Sequence, residues 1–299
     1  MPHKTITGSA GAPACLTVAL ISEVFVYPDD AARLGQSLKH ARSRGAEVAV
    51  LPEIPLNPWS PATETSHDDD AEAPGGPRHQ ALSNAAHAAG IGVIGGAIVR
   101  DPKSGRRHNT ALVFDRSGTL IASYRKLHLP EENGFWETRH YEPGDDLPSV
   151  IGVFGMRIGL QICSDANRPE GSLLLGALGA EVIVTPRATE AATFPRWRTV
   201  FIANAITSCA YVLSVARPRP ELGVLLGGPS FGVAPTGEVL VETTESIALV
   251  KLDRTVVEEA RGRYPGYLAT RADLYAEGWK RVKPTKLPHE GAPFPTEKP

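Results

Sequence analysis

Cys163, Lys126 and Glu53 are the residues of this 299-residue chain whose types and settings could do chemistry. Cys163 closes the run Arg157-Ile158-Gly159-Leu160-Gln161-Ile162-Cys163. Ile158, Leu160 and Ile162 fall on one side of it and Arg157, Gly159 and Gln161 on the other, the alternation of a half-buried strand. Pro169-Glu170 then opens a helix. Proline suits the first helical position because it has no N–H to satisfy, and the glutamate meets the positive end of the helix dipole. Leu173, Leu174, Leu175 and Leu178 continue it as an apolar stripe. A thiol on such a strand-to-helix turn can be exposed in a cleft while its backbone is held rigidly, and the N–H of Ser164 can point into the same space. A cysteine there is either a nucleophile or a small core hydrophobe. Glu53 follows Glu47 to Leu51, a strand apolar nearly throughout, where a carboxylate is costly unless used or paired; otherwise it is an exposed cap. Lys126 follows Leu120 to Arg125, again at a strand end, where a lone lysine is ordinarily a surface residue with a buried stem. Strand ends of an α/β sheet converge on one rim, which is where sites form.

The elements that must position these residues alternate along the chain. Strands are expected at Leu16 to Ile21, Glu47 to Leu51, Ile91 to Val99, Arg107 to Phe114, Thr119 to Tyr124, Val150 to Phe154 and Met156 to Ile162. Others are expected at Val182 to Thr185, Tyr211 to Ala216, Ser230 to Ala234, Glu238 to Glu242 and Ile247 to Leu252. Helices are expected from an Asp29-Asp30 cap to Arg44, from Arg78 to Ala89, from Pro169, from Pro195 to Thr207, and from an Asp253 cap to Arg263. This is an α/β pattern. No composition shift separates two cores, so residues 14–281 read as one domain, preceded by a loose leader (1–13) and followed by a Pro-rich arm (282–299). Residues 54–77 form a long loop of the kind that is usually functional or disordered.

Composition narrows the partners. A net charge of −2 and a pI near 6.5 suggest neither nucleic acid nor a membrane surface. No apolar run approaches the ~18 residues of a membrane span, and no signal peptide is visible. Three widely spaced cysteines make no disulfide framework, Cys15 and Cys209 lie among apolar residues, and a reducing cytosol fits best. Gly90-Ile91-Gly92-Val93-Ile94-Gly95 matches G-x-G-x-x-G, but helix-then-strand is the reverse of the dinucleotide order. His67-Asp68-Asp69-Asp70 lacks the glycine and terminal glutamate of a calcium loop and reads as a solvated acidic turn.

Leu51-Pro52-Glu53, Tyr124-Arg125-Lys126-Leu127-His128-Leu129-Pro130 and Gly159-Leu160-Gln161-Ile162-Cys163-Ser164-Asp165 resemble, in order, the three catalytic motifs of the carbon–nitrogen hydrolase (nitrilase) superfamily. Tyr141-Glu142-Pro143-Gly144-Asp145, Gly228-Pro229-Ser230-Phe231 and Arg271-Ala272-Asp273-Leu274-Tyr275 are further matches, and the likeness covers roughly residues 14–278. The resemblance implies a four-layer α-β-β-α sandwich and a Glu–Lys–Cys triad: Glu53 the general base, Lys126 the oxyanion stabiliser, Cys163 the nucleophile. Glu137 would position Lys126 and substrate; Glu142, directly before Pro-Gly-Asp, reads as a turn residue. No metal or organic cofactor would be needed, and subunits would pair as a homodimer or higher homo-oligomer. Cys163-Ser164-Asp165 with Pro169-Glu170 looks like the amidase and carbamoylase branches, and true nitrilases tend to carry Trp-Glu after the cysteine. His128, two after the lysine, is carbamoylase-like or else simply packed on its loop. N-carbamoyl-D-amino-acid hydrolases place two arginines third and fourth after the cysteine, where this chain has Ala166 and Asn167. Arg187, on the loop after Val182 to Thr185, is then the remaining candidate for an acidic group on the substrate; its alternative is an ion pair with Glu190 or Glu181. The expected activity is hydrolysis of a small linear amide or N-carbamoyl amine through a cysteine thioester. Nitrile hydrolysis, an idle scaffold subunit and a Cys163–His128 enzyme are the rivals.

Overall fold

The computed structural model describes residues 15–27 and 30–283; the leader, Asp29 and the arm beyond Lys283 lie outside the described residues. Two units are present among them, one ending at Tyr267 and the other beginning at Leu268.

The first unit is built on two sheets. β1 (Cys15–Ile21), β2 (Val48–Val50), β3 (Ala71–Glu72), β4 (Gly92–Arg100), β5 (Arg107–Phe114) and β6 (Leu120–Arg125) form the first sheet. β7 (Glu131–Glu132) and β8 (Phe135–Trp136) make a separate ribbon. β9 (Val150–Val153), β10 (Met156–Leu160), β11 (Val182–Arg187), β12 (Tyr211–Ala216), β13 (Ser230–Val233) and β14 (Val239–Thr243) form the second sheet, and β15 (Ile247–Asp253) returns to pair with β1. Both sheets share one plan. Three neighbouring strands run parallel, β1-β2-β4 in one and β10-β11-β12 in the other, and antiparallel strands flank them.

Alternation decides what faces what. Leu16, Val18 and Leu20 of β1 meet Ile158, Leu160, Val184 and Leu213 of the second sheet in one buried core. Ala19 and Ile21, with the opposite parity, pack under Leu34 and Leu38 of α1 (Asp30–Ser43) and Leu82 and Ala86 of α2 (Pro77–Ala89). Ile183 and Val212 pack under Leu175 of α3 (Pro169–Ala177) and Phe201 and Ala205 of α4 (Phe194–Ser208). The layers therefore run helix, sheet, sheet, helix. α5 (Arg254–Gly262) is capped by Asp253, whose carboxylate accepts from Thr255 N. The second unit holds α6 (Ala272–Trp279), with Leu274, Tyr275 and Trp279 exposed.

Element order follows the sequence expectation, with instructive differences. The β7–β8 ribbon and α6 were not expected: two-residue strands are too short to show a period. The connection expected over residues 54–77 is a loop to Gly76 except for short 3₁₀ turns at Ser60–Ala62 and Asp68–Asp70 and the unexpected strand β3, which pairs with β4; Pro77 already opens α2. Asp68 in the acidic turn pairs with Arg100 and Arg107. Gly90 caps α2 in the left-handed conformation before β4 begins, so the glycine run stands in helix-then-strand order.

Candidate active site

β2 is buried on both faces and ends in Leu51-Pro52-Glu53, so the carboxylate of Glu53 is carried into the interior. Two antiparallel steps, β4 to β5 to β6, restore the direction of β4. Lys126, just past β6, therefore lies on the same rim as Glu53. Cys163 follows β10 in the facing sheet, beyond Gln161, whose N–H still bonds Val184 O at 3.0 Å.

The ammonium of Lys126 is the centre of the cluster. Its Nζ donates to Glu53 Oε1 at 2.8 Å and to Glu137 Oε1 and Oε2 at 2.6 and 2.7 Å. All three side chains are fully buried. Glu53 Oε1 also accepts from Asn109 Nδ2 at 2.8 Å, and Oε2 from Ala188 N at 2.8 Å. The thiol of Cys163 donates to Ala188 O at 3.3 Å. Carboxylate and thiol thus reach the two backbone polar atoms of one residue. The backbone of Cys163 has φ +47°, a left-handed conformation that costs an L-residue roughly 1–2 kcal/mol. Asp165 N closes the turn onto Ile162 O at 3.0 Å.

Burial sets the electrostatics. It opposes charge on Lys126, but the carboxylates of Glu137 and Glu53 outweigh it and hold its pKa above the ordinary 10.5. Burial lifts Glu137 from its ordinary 4.5 to about 8, although Lys126 pulls it back. Burial and the charge of Glu53 push the Cys163 thiol well up, while Lys126 pulls it down. These surroundings favour the neutral thiol over the thiolate at Cys163.

Several expectations are corrected. Cys163 is 3% exposed rather than open in a cleft, because its side chain packs into the core between the two sheets and its thiol meets Ala188 O. Arg187 does not stand on a loop: β11 runs through it, and its guanidinium is fully buried. It donates to Thr189 Oγ1 at 3.3 Å, to Ser214 Oγ at 3.0 Å and to Pro229 O, between the rings of Phe194 and Phe201. The ion pairs with Glu190 or Glu181 do not form; Glu181 binds Arg254 instead. His128 keeps a partly exposed ring whose Nδ1 lies 2.8 Å from Asp165 Oδ1, so it is turned to Asp165 rather than to the thiol. Ser164 Oγ donates to His128 O. Glu142 and Arg168 are exposed.

Three participants escaped the sequence reading. Asn109 on β5 holds Glu53. Asp165 ties the lysine loop to the cysteine turn. Arg217 donates to Glu53 O, Ile54 O and Asn57 O at 2.9, 3.0 and 2.9 Å, fixing the chain that carries the Glu53 carboxylate, and is itself paired with Glu221 at 2.6 Å. Arg217 could have been found: it ends the buried strand β12 as Glu53 ends β2.

A family model described as carbon-nitrogen hydrolase matches residues 17–262. The human protein "Omega-amidase NIT2" is 31% identical over 265 residues, covering 86% of this chain and 94% of that protein. The Arabidopsis thaliana "Omega-amidase, chloroplastic" is 31% identical, covering 80% of this chain and 68% of that one. Among solved structures, Saccharomyces cerevisiae Nit3, a member of branch 10 of the nitrilase superfamily, superposes with a TM-score of 0.76 at 27% identity, covering 89% of this chain and 99% of that one. A carbon-nitrogen hydrolase from Helicobacter pylori G27 gives 0.78 at 21% identity, covering 90% and 100%.

Proposed function

The chain belongs to the carbon–nitrogen hydrolase family and is a hydrolase of non-peptide C–N bonds; from that premise we propose that it is a thiol amidohydrolase cleaving a small linear amide through a thioester on Cys163. The observation that carries this reading is the buried Glu53–Lys126–Glu137 cluster beside the neutral thiol. In the proposed sequence Glu53 takes the thiol proton as Sγ attacks the amide carbon. The charge that develops on oxygen is met by Lys126 and the Ser164 N–H in a site closed to water, a contribution of about 3–4 kcal/mol for one such donor. The C–N bond breaks as Glu53 returns the proton to the leaving nitrogen. Water then attacks the thioester with Glu53 again as base, freeing the acid and the thiol. Glu137 keeps Lys126 aimed throughout. The omega-amidase names of two relatives favour an amide over a nitrile.

The test is ammonia release from a panel of linear amides, N-carbamoyl amines and nitriles, run on wild type and Cys163→Ala. Release from at least one amide by wild type, and none by folded Cys163→Ala, is expected. Turnover by Cys163→Ala ends the thiol mechanism, and release from nitriles alone moves the protein to the rival activity.

A further inference from the structure

Asp165 is 2% exposed and stands two residues after Cys163, yet its carboxylate is used mostly by the other sheet. Tyr124 and His128 flank Lys126 in the chain, two residues to either side. Asp165 accepts from both flanking members. Its Oδ2 takes the Tyr124 hydroxyl at 2.9 Å, and its Oδ1 lies 2.8 Å from His128 Nδ1. A carboxylate only accepts, so Nδ1 is the protonated ring nitrogen. Oδ1 also takes the N–H groups of Leu127 at 3.2 Å and His128 at 3.0 Å. On its own side of the site, Oδ2 takes the N–H of Ile162 at 3.0 Å. The groups bonded to one carboxylate thus bracket Lys126 on one sheet and Cys163 on the other. Ser164 Oγ, donating to His128 O, adds a second tie between the same two segments. Burial and the Asp165 charge push the Tyr124 phenol up, so it stays a neutral donor.

We infer that Asp165 is a positioning residue for the proposed reaction, a cross-sheet clasp that sets the distance between Lys126 and Cys163 and holds Cys163 in its left-handed turn. This rests on the proposed roles of those two residues. The two oxygens accept different groups, Oδ1 from Leu127 and His128 and Oδ2 from Tyr124 and Ile162, so Asp165→Asn loses backbone bonds whichever way its amide turns. Small displacements of aligned groups cost up to about a hundredfold in rate. The experiment measures kcat and KM on an amide turned over by wild type, per folded site with the folded fraction read by circular dichroism, for Asp165→Asn, Tyr124→Phe and Cys163→Ala. The alkylation rate of Cys163 is followed across pH for the first two. For Asp165→Asn a fall in kcat of about ten- to a hundredfold is expected, with KM within about threefold and a displaced alkylation profile. Tyr124→Phe, which loses one bond, should fall by about two- to fivefold. A merely structural role would lower the melting temperature and the number of folded sites, but not kcat per site. Asp165→Asn within twofold of wild type per site overturns the inference. If that variant does not fold, a folded Tyr124→Phe with unchanged kcat and alkylation profile overturns it instead. Activity in Cys163→Ala would sink the thiol reading itself, whatever Asp165→Asn does.

Discussion

Lys126 and Arg187 are both buried cations near the strand ends, and they are accommodated in opposite ways. Lys126 lies between two carboxylates, and they hold its pKa up against burial. Arg187 has no carboxylate within ion-pair reach among the described residues; two hydroxyls, a carbonyl and two aromatic faces surround it, and burial brings its pKa down from 12.5 to about 10. A counter-charge creates a group whose protonation and charge can be used at a reacting atom. Dipoles and ring faces satisfy a charge in place and attach it to the scaffold. In this molecule the first kind of site spans the two sheets, and the second ties β11 to β12, α4 and the chain before β13.

The largest effect should come from breaking the first arrangement. Lys126→Met removes the proposed oxyanion donor and leaves Glu53 and Glu137 facing each other with no cation between them. A loss of at least about two orders of magnitude in kcat is expected, together with a lower melting temperature, since orphaning a buried charge commonly costs about 3–5 kcal/mol. Steady-state kinetics and thermal denaturation read both. A variant with near-wild-type kcat would make Lys126 a structural strand-end charge.

Arg187→Met probes the second arrangement, and a smaller effect follows. Ser214 Oγ and Pro229 O lose a donor, at about 1–3 kcal/mol for each buried group left unsatisfied. The melting temperature should drop by several degrees, and kcat/KM should change about equally for acidic and neutral amides. The guanidinium has five N–H donors and three are taken by the protein. A KM raised about tenfold or more for carboxylate-bearing amides alone, the loss of one charge-assisted bond, would break the comparison and make Arg187 the acid-binding residue of the pocket.

How much of this was legible in the sequence follows from the range of each interaction. Alternation and cap residues are local, so β1, β5, β12 and the Asp253 cap could be read directly. Glu53, Lys126 and Cys163 stood out because each follows a strand, buried at β2 and β10 and largely exposed at β6. Their convergence was legible only through the strand-end rule and the family motifs. What pairs with them was not. Asn109 meets Glu53 from 56 residues away, and Asp165 meets His128 from 37. Arg187 was placed on a loop because Pro186 reads as a strand stop. The strand nonetheless runs on, because Arg187 pairs with Ala216 and its side chain finds Ser214 on the same neighbouring strand.

The smallest effect concerns Glu137, which meets Lys126 with both carboxyl oxygens. Burial lifts Glu137 from 4.5 to about 8. Between those values the folded protein holds a proton on Glu137 that the unfolded chain has released. Unfolding then releases a proton, so the stability contributed by this group is full below pH 4.5 and is lost as pH rises through about 8. Glu137→Gln cannot titrate. The melting temperature of wild type minus that of Glu137→Gln should therefore decline across this window and level off above it, a difference that cancels the titrations both proteins share. A flat difference, or one that rises with pH, would mean that Glu137 remains ionised throughout and that Lys126 is paired to two full negative charges. The contrast with Arg187 would then be sharper still: one buried cation with more counter-charge than it can neutralise, the other with none.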